Sequence, residues 1–273
     1  MTLSSRFIRS SLIAATMLGL LGGCATSTKS SVAGTNRSQF LLVSAEQVNT
    51  ASLQFYAEQN TEARKKGALI TSGAEYNRVH AIMQRIVPHV GVFREDATSW
   101  KWELVLIDDQ TVNAHVMAGG KITFYTGLIR RMQLTDDEIA AVMGHEIAHA
   151  LREHTREKVS QDQAATLAVN IGGALLGAGQ TAMQIAGLTK TLGLDLPFSR
   201  HMESEADEFG LELAARAGYN PKASITLWEK MGKQGGSVPK FLSTHPPSED
   251  RIKKLTVLQP KVQPLYEATI GKK

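Results

Sequence analysis

The feature that most constrains this chain is the stretch His145-Glu146-Ile147-Ala148-His149, set inside a run that begins like a helix. Thr135 is followed three residues later by Glu138, so the two can form a reciprocal capping box. Asp136, Asp137 and Glu138 also place acids at the positive end of the helix dipole. The helix is expected to run through both histidines to about residue 157. Residues four apart lie about 40° apart around an α-helix and one turn along it, so both imidazoles project from one face. Two neutral ring nitrogens so placed can share one metal ion, and two histidines with a carboxylate suit zinc best. Glu146 can approach an open metal position without filling it, as a general base for bound water must. Val142, Met143, Ile147, Ala148, Ala150 and Leu151 are uncharged, which predicts burial around the motif. Burying two histidines and a glutamate costs stability unless something satisfies them, and a metal does.

Zinc in a hydrolase usually takes three protein ligands and keeps a fourth position for water. A third histidine ten residues after His145, with a glycine at seven, is excluded because those positions hold Thr155 and Arg152. His154 would face about 140° away from His149 on a continuous helix and reads as structural or as support for a ligand. The better source is Arg200-His201-Met202-Glu203-Ser204-Glu205-Ala206-Asp207. On a helix Glu203 and Asp207 share a face, so Glu203 can ligate while Asp207, deeper in, fixes the orientation of a ligating histidine. Glu205 points about 160° away and is expected to be solvated.

The N-terminus reads as an address. Arg6 and Arg9 precede an apolar run from Leu12 to Leu21, followed by Gly22-Gly23-Cys24. The run is too short to cross a bilayer, which takes roughly 20 residues, and has the form of an export signal. Leu21-Gly22-Gly23-Cys24 resembles the lipobox of bacterial lipoproteins, in which the cysteine becomes the lipid-bearing first residue. Cys24 is the one cysteine of the 273 residues, so an intrachain disulfide framework and a cysteine-rich metal site are excluded. The chain is expected to divide into a signal over 1–23, a flexible tether over 24–42, a catalytic domain over 43–262 and a tail over 263–273. Its expected place is the periplasmic face of the outer membrane, anchored through lipid at Cys24. The formal charge of +4 includes the two arginines of the signal, and no basic cluster is interleaved with aromatics. No nucleic-acid partner is expected.

Further along, helices are predicted over 44–66, opened by a Ser44/Gln47 capping box, and over 76–87, with Val79, Ile82, Met83 and Ile86 on one face and Pro88 at its end. Residues 100–107 and 121–126 read as strands, the second entered by the turn Ala118-Gly119-Gly120. Residues 199–217 and 221–234 read as helices, the latter with Pro221 in its first turn. Residues 163–189 carry no charge, but their glycines favour two short apolar helices over a membrane span.

The His-Glu-x-x-His helix, the downstream Glu-x-x-Ala-Asp segment and the late Ser243-Thr244-His245-Pro246-Pro247-Ser248-Glu249-Asp250-Arg251 together resemble metallopeptidase family 48, gluzincins of the HtpX and CAAX-prenyl-protease type. With the lipobox, the chain is most similar to the family's periplasmic lipoprotein branch. The resemblance covers most of residues 40–260. It implies a mostly helical α+β, zincin-like domain with a small antiparallel or mixed sheet beside the active-site helix. It further implies one Zn2+ per chain on His145, His149 and Glu203, with Glu146 as the catalytic base and Asp207 supporting a ligand. His245 and Arg251 would act as a gate or a transition-state donor. Asn113-Ala114-His115-Val116 and the strand at 121–126 resemble the stretch beside the cleft, where an edge strand can hold an extended peptide. Asn113, Ile122 and Phe124 are the candidate contacts, and His115 stands where the family often carries an apolar or aromatic residue. The implied activity is zinc-dependent endopeptidase action on misfolded or misassembled membrane and periplasmic proteins of the bacterial envelope, with outer-membrane assembly proteins as partners. The second reading is a lipoprotein chaperone or assembly factor with weak or gated proteolysis. Because the chain ends soon after Arg251, no appended helical repeat array is expected.

Overall fold

The computed structural model describes residues 24–175, 197–233, 240–246 and 249–271. The signal expected over 1–23 and the later part of the apolar stretch 163–189 lie outside the described residues. A short antiparallel pair, β1 (Cys24–Ala25) and β2 (Gln39–Phe40), precedes helix α1 (Ala45–Lys65). That helix starts at the expected capping box, Ser44 accepting from the Gln47 N–H and the Gln47 side chain from the Ser44 N–H. After β3 (Leu69–Ile70) comes α2 (Ala74–Ile86), whose face of Val79, Ile82, Met83 and Ile86 is buried. At Pro88 it gives way to a 3-10 turn, Val87–Val92.

The main sheet is completed by β4 (Glu103–Ile107), β5 (Ala114–Met117) and β6 (Lys121–Tyr125), with α3 (Thr126–Arg131) following. Its order is β3-β4-β6-β5. β4 and β6 run parallel and the other neighbours antiparallel, so the sheet is mixed. The chain leaves β4, lays down β5 as the edge, and doubles back to insert β6 between them. Gly119 and Gly120, with φ of +79° and +80°, make that tight reversal. Ile122 and Phe124 therefore lie in an inner strand, fully buried in the core, and neither is on the edge where a peptide would add. The edge is β5.

Helix α4 (Asp136–Leu151) carries the metal motif and is buried at every residue from Glu138 to Leu151. The Thr135/Glu138 box caps it, as expected. It ends at Leu151, six residues before the predicted boundary at 157. Glu153 takes a left-handed φ of 50°, which breaks the helix without glycine or proline and starts α5 (His154–Leu175) in a new direction. Then come α6 (Arg200–Arg216), α7 (Lys222–Gly232), α8 (Lys240–Thr244) and α9 (Glu249–Ile270). α9 runs through the segment expected as a tail, and the Thr269 hydroxyl donates to the Arg216 carbonyl at 3.1 Å. Among the described residues no helix is long and apolar enough to cross a membrane.

Two features hold the site together. First, α4 and α6 touch backbone to backbone. A Cβ on Gly144 would come within 2.6 Å of the Gly210 carbonyl oxygen, and one on Gly210 within 2.6 Å of the His145 nitrogen. Second, the segment expected to be a flexible tether is a strap. Arg37 donates to both oxygens of Glu157, at 2.5 and 2.8 Å, and to Glu205 at 2.8 Å. The Val32 N–H donates to Glu212 at 2.7 Å, and the Thr35 hydroxyl to Glu208 at 2.8 Å. Gln39 donates to Glu157 at 2.8 Å and also to the Arg152 carbonyl. The acids of α5 and α6 need donors, and the small polar strap supplies them.

Gly210→Ala is expected to push α4 and α6 apart and lower stability by on the order of 1–3 kcal/mol, read from the urea midpoint. Burial alone would raise the Glu157 carboxyl, but the Arg37 and Gln39 bonds hold it below the ordinary carboxylate range. That stabilisation is complete above about pH 4.5 and fades as pH falls. The stability gap between wild type and Arg37→Ala should therefore hold from pH 7 down to about pH 4.5 and narrow as pH falls further.

Candidate metal centre

The helical spacing of His145 and His149 brings their Nε2 atoms to 3.1 Å from each other. The close α4–α6 contact sets Glu203 opposite them, with its oxygens 3.5 Å from His145 Nε2 and 3.4 Å from His149 Nε2. A fourth group arrives from the loop after α8. His245 Nδ1 lies 2.9 Å from Glu203 Oε1 and 3.3 Å from His145 Nε2. One ligand atom from each of these four buried residues falls within 4.8 Å of the others.

Three imidazole nitrogens and a carboxylate aimed at one point cannot satisfy one another, since neutral rings present lone pairs as well as protons. A cation resolves the conflict. Ligands about 2.0–2.1 Å from a tetrahedral zinc ion stand roughly 3.3–3.4 Å apart, and the separations of 2.9–3.5 Å within the cluster lie around that value. The residues present fit zinc.

Their surroundings prepare the ligands. Asp207 Oδ1 is 3.1 Å from His145 Nδ1, so the other ring nitrogen is turned to the cluster. Arg251 grips Asp207 with two bonds of 2.6 Å, reaches Glu203 at 2.6 Å, and lies 3.7 Å over the Trp228 ring. Burial would raise the Asp207 carboxyl, but the Arg251 charge outweighs it and holds the group below its ordinary value. Arg251 thus positions two carboxylates. Phe198 stacks on His149 at 4.2 Å and Phe241 on His245 at 4.6 Å, forming an aromatic roof.

Glu146 is buried beside the cluster, and burial pushes its carboxyl up to about 7. His245 Nε2 stands 3.3 Å from Oε1, an oxygen with no hydrogen-bond partner among the described residues. The Val116 backbone of edge strand β5 faces the same carboxyl. Asn113 is buried just ahead of β5, its Oδ1 without a hydrogen-bond partner among the described residues. His115 is buried as well, and desolvation pushes it down to about 3, so it stays neutral. Glu205, expected in solvent, is buried against Arg37, Arg152 and His154. His154, though off the expected helix, reaches His149 at 2.9 Å. The contacts of His154 do not follow from helical spacing, because they depend on the break at Glu153.

Residues 73–259 match the model of Peptidase family M48. The chain belongs to this family. It is 38% identical over 188 residues to Mitochondrial metalloendopeptidase OMA1 of Schizosaccharomyces pombe, covering 68% of this chain and 53% of that protein. The human mitochondrial metalloendopeptidase OMA1 is 28% identical, covering 85% of this chain and 46% of its own length. The β-barrel assembly-enhancing protease of Escherichia coli is 26% identical, covering 70% and 40%. The chain spans about half the length of the curated relatives it matches. The relatives from fission yeast, Arabidopsis thaliana and Saccharomyces cerevisiae, at 37–39% identity, are all mitochondrial enzymes. That finding overturns the expected placement at the periplasmic face of the outer membrane through a lipid on Cys24. The lipobox is a four-residue pattern, and Cys24 itself lies in β1 opposite Phe40.

Asp207→Asn should weaken the hold on His145 and lower zinc affinity by about 10–100-fold, measured by competition with a chromogenic chelator.

Proposed function

We propose that the chain cleaves extended segments of unfolded or misassembled membrane-associated proteins, with His145, His149 and Glu203 as its zinc ligands and Glu146 as its base. The observation that carries this reading is the position of Glu146, a buried carboxyl raised to about 7 beside four converging ligands and the backbone of an edge strand. Zinc bound there supplies a Lewis acid that polarises a peptide carbonyl and acidifies water. Glu146 takes a proton from the attacking water and returns it to the leaving amine, a role for which a value near neutrality is suited. Strand β5 offers its outer edge for antiparallel pairing with an extended substrate, which favours unfolded segments. The relatives from Escherichia coli and Vibrio cholerae named for enhancing β-barrel assembly support substrates drawn from membrane-protein assembly.

His245 serves as a gate. Its Nδ1 takes the fourth position of the ligand set, where water is needed, while its Nε2 stands by the base. The Phe241 N–H bonds the Val112 carbonyl at 3.0 Å, so α8 lies at the start of the substrate strand.

Glu146→Gln is expected to retain zinc while casein cleavage falls by at least ~10²–10⁴-fold; undiminished proteolysis would refute the mechanism. His245→Ala should raise casein cleavage, and a fall would assign His245 as a transition-state donor instead.

A further inference from the structure

We propose that His154 and Glu205 are positioning residues that set the tautomer of the zinc ligand His149, through a two-imidazole relay anchored by the N-terminal strap. The inference rests on the reading of His149 as a ligand.

The chain of contacts is continuous and buried. His154 Nδ1 lies 2.9 Å from His149 Nδ1, and His154 Nε2 lies 3.0 Å from Glu205 Oε2. Glu205 is fixed in turn. Its Oε2 receives Arg152 at 3.1 and 3.3 Å and Arg37 at 3.2 Å, and its Oε1 receives Arg37 at 2.8 Å. His154 and Arg152 have no solvent exposure.

Hydrogen-bond logic then assigns each proton. A carboxylate that serves two guanidinium groups is an acceptor, so His154 must donate to it from Nε2. The Nδ1 of a neutral His154 is consequently a bare acceptor, and the bond to His149 requires the proton to sit on His149 Nδ1. That leaves the Nε2 lone pair of His149 facing the cluster, 3.1 Å from His145 Nε2 and 3.4 Å from Glu203 Oε1. Asp207 does the same for His145 directly, at 3.1 Å. Helix α6 therefore supplies one ligand, Glu203, and one orienting carboxylate for each histidine. The second carboxylate acts through His154, which the left-handed turn at Glu153 swings back toward His149. Carboxylates that orient a metal-bound histidine are known to govern metal affinity.

The test uses the full chain and two readouts besides proteolysis, zinc affinity by chelator competition and the visible absorption of the cobalt(II) form. His154→Leu, which removes both bonds, is expected to bind zinc about 10–100-fold more weakly and to shift the cobalt bands. His154→Gln, which keeps one acceptor and one donor, should recover most of the affinity. A merely structural role would lower the melting temperature of both variants and leave zinc affinity and cobalt spectrum unchanged. That result in folded His154→Leu overturns the proposal. If His154→Leu does not fold, ¹⁵N NMR of the wild-type histidines decides. Protons on His149 Nδ1 and His154 Nε2 are required, and the opposite tautomers overturn the relay. His149→Ala is the control. If it keeps its zinc, the ligand assignment fails; if it loses zinc while His154→Leu does not, only the relay fails.

Discussion

Gly144 and Gly210 stand backbone to backbone where α4 crosses α6, and everything at the metal centre depends on that contact. One glycine precedes His145 directly, and the other lies seven residues, about two turns, after Glu203. Because neither helix carries a side chain at the crossing, the two axes approach closely enough for a short carboxylate on one to meet two imidazoles on the other. A methyl group on either side would meet the other helix's backbone at 2.6 Å and force the two helices apart.

Bringing so many ionisable groups inside carries a desolvation cost that only mutual pairing offsets. The structure pairs them in layers. Arg251 holds Asp207 and Glu203 on one side of α6, while Arg37 and Arg152 hold Glu205 on the other. The strap over 24–42 thus belongs to the folded unit, although its composition of small polar residues reads as linker. Through Glu205 and His154 it also connects to His149 of the cluster.

The centre is organised for control as well as for chemistry. One ligand atom from each of three histidines and one glutamate converges within 4.8 Å, and Phe198 and Phe241 stack on two of the rings. In the proposed reading, His245 would have to leave the cluster before water could enter it. Membership of family M48 fits this chemistry, while the mitochondrial relatives separate the catalytic domain from any inference about compartment drawn from a four-residue motif.

Interactions that span three or four residues were legible in the chain. The Thr135/Glu138 and Ser44/Gln47 caps, the shared face of His145 and His149, and that of Glu203 and Asp207 all follow from helical geometry, which is local. What lies opposite each face is not local. Glu205 was expected in water because its direction from Glu203 was known but its neighbours were not, and α6 proved to be covered on both sides. The break at Glu153 carries no glycine or proline to mark it, so His154 was placed on the wrong helix. Ile122 and Phe124 alternate like edge residues whether or not another strand pairs outside them, and only the doubling back of the β5–β6 hairpin decides that they are inside. Periodicity fixes direction within an element; long-range packing alone decides what that direction meets.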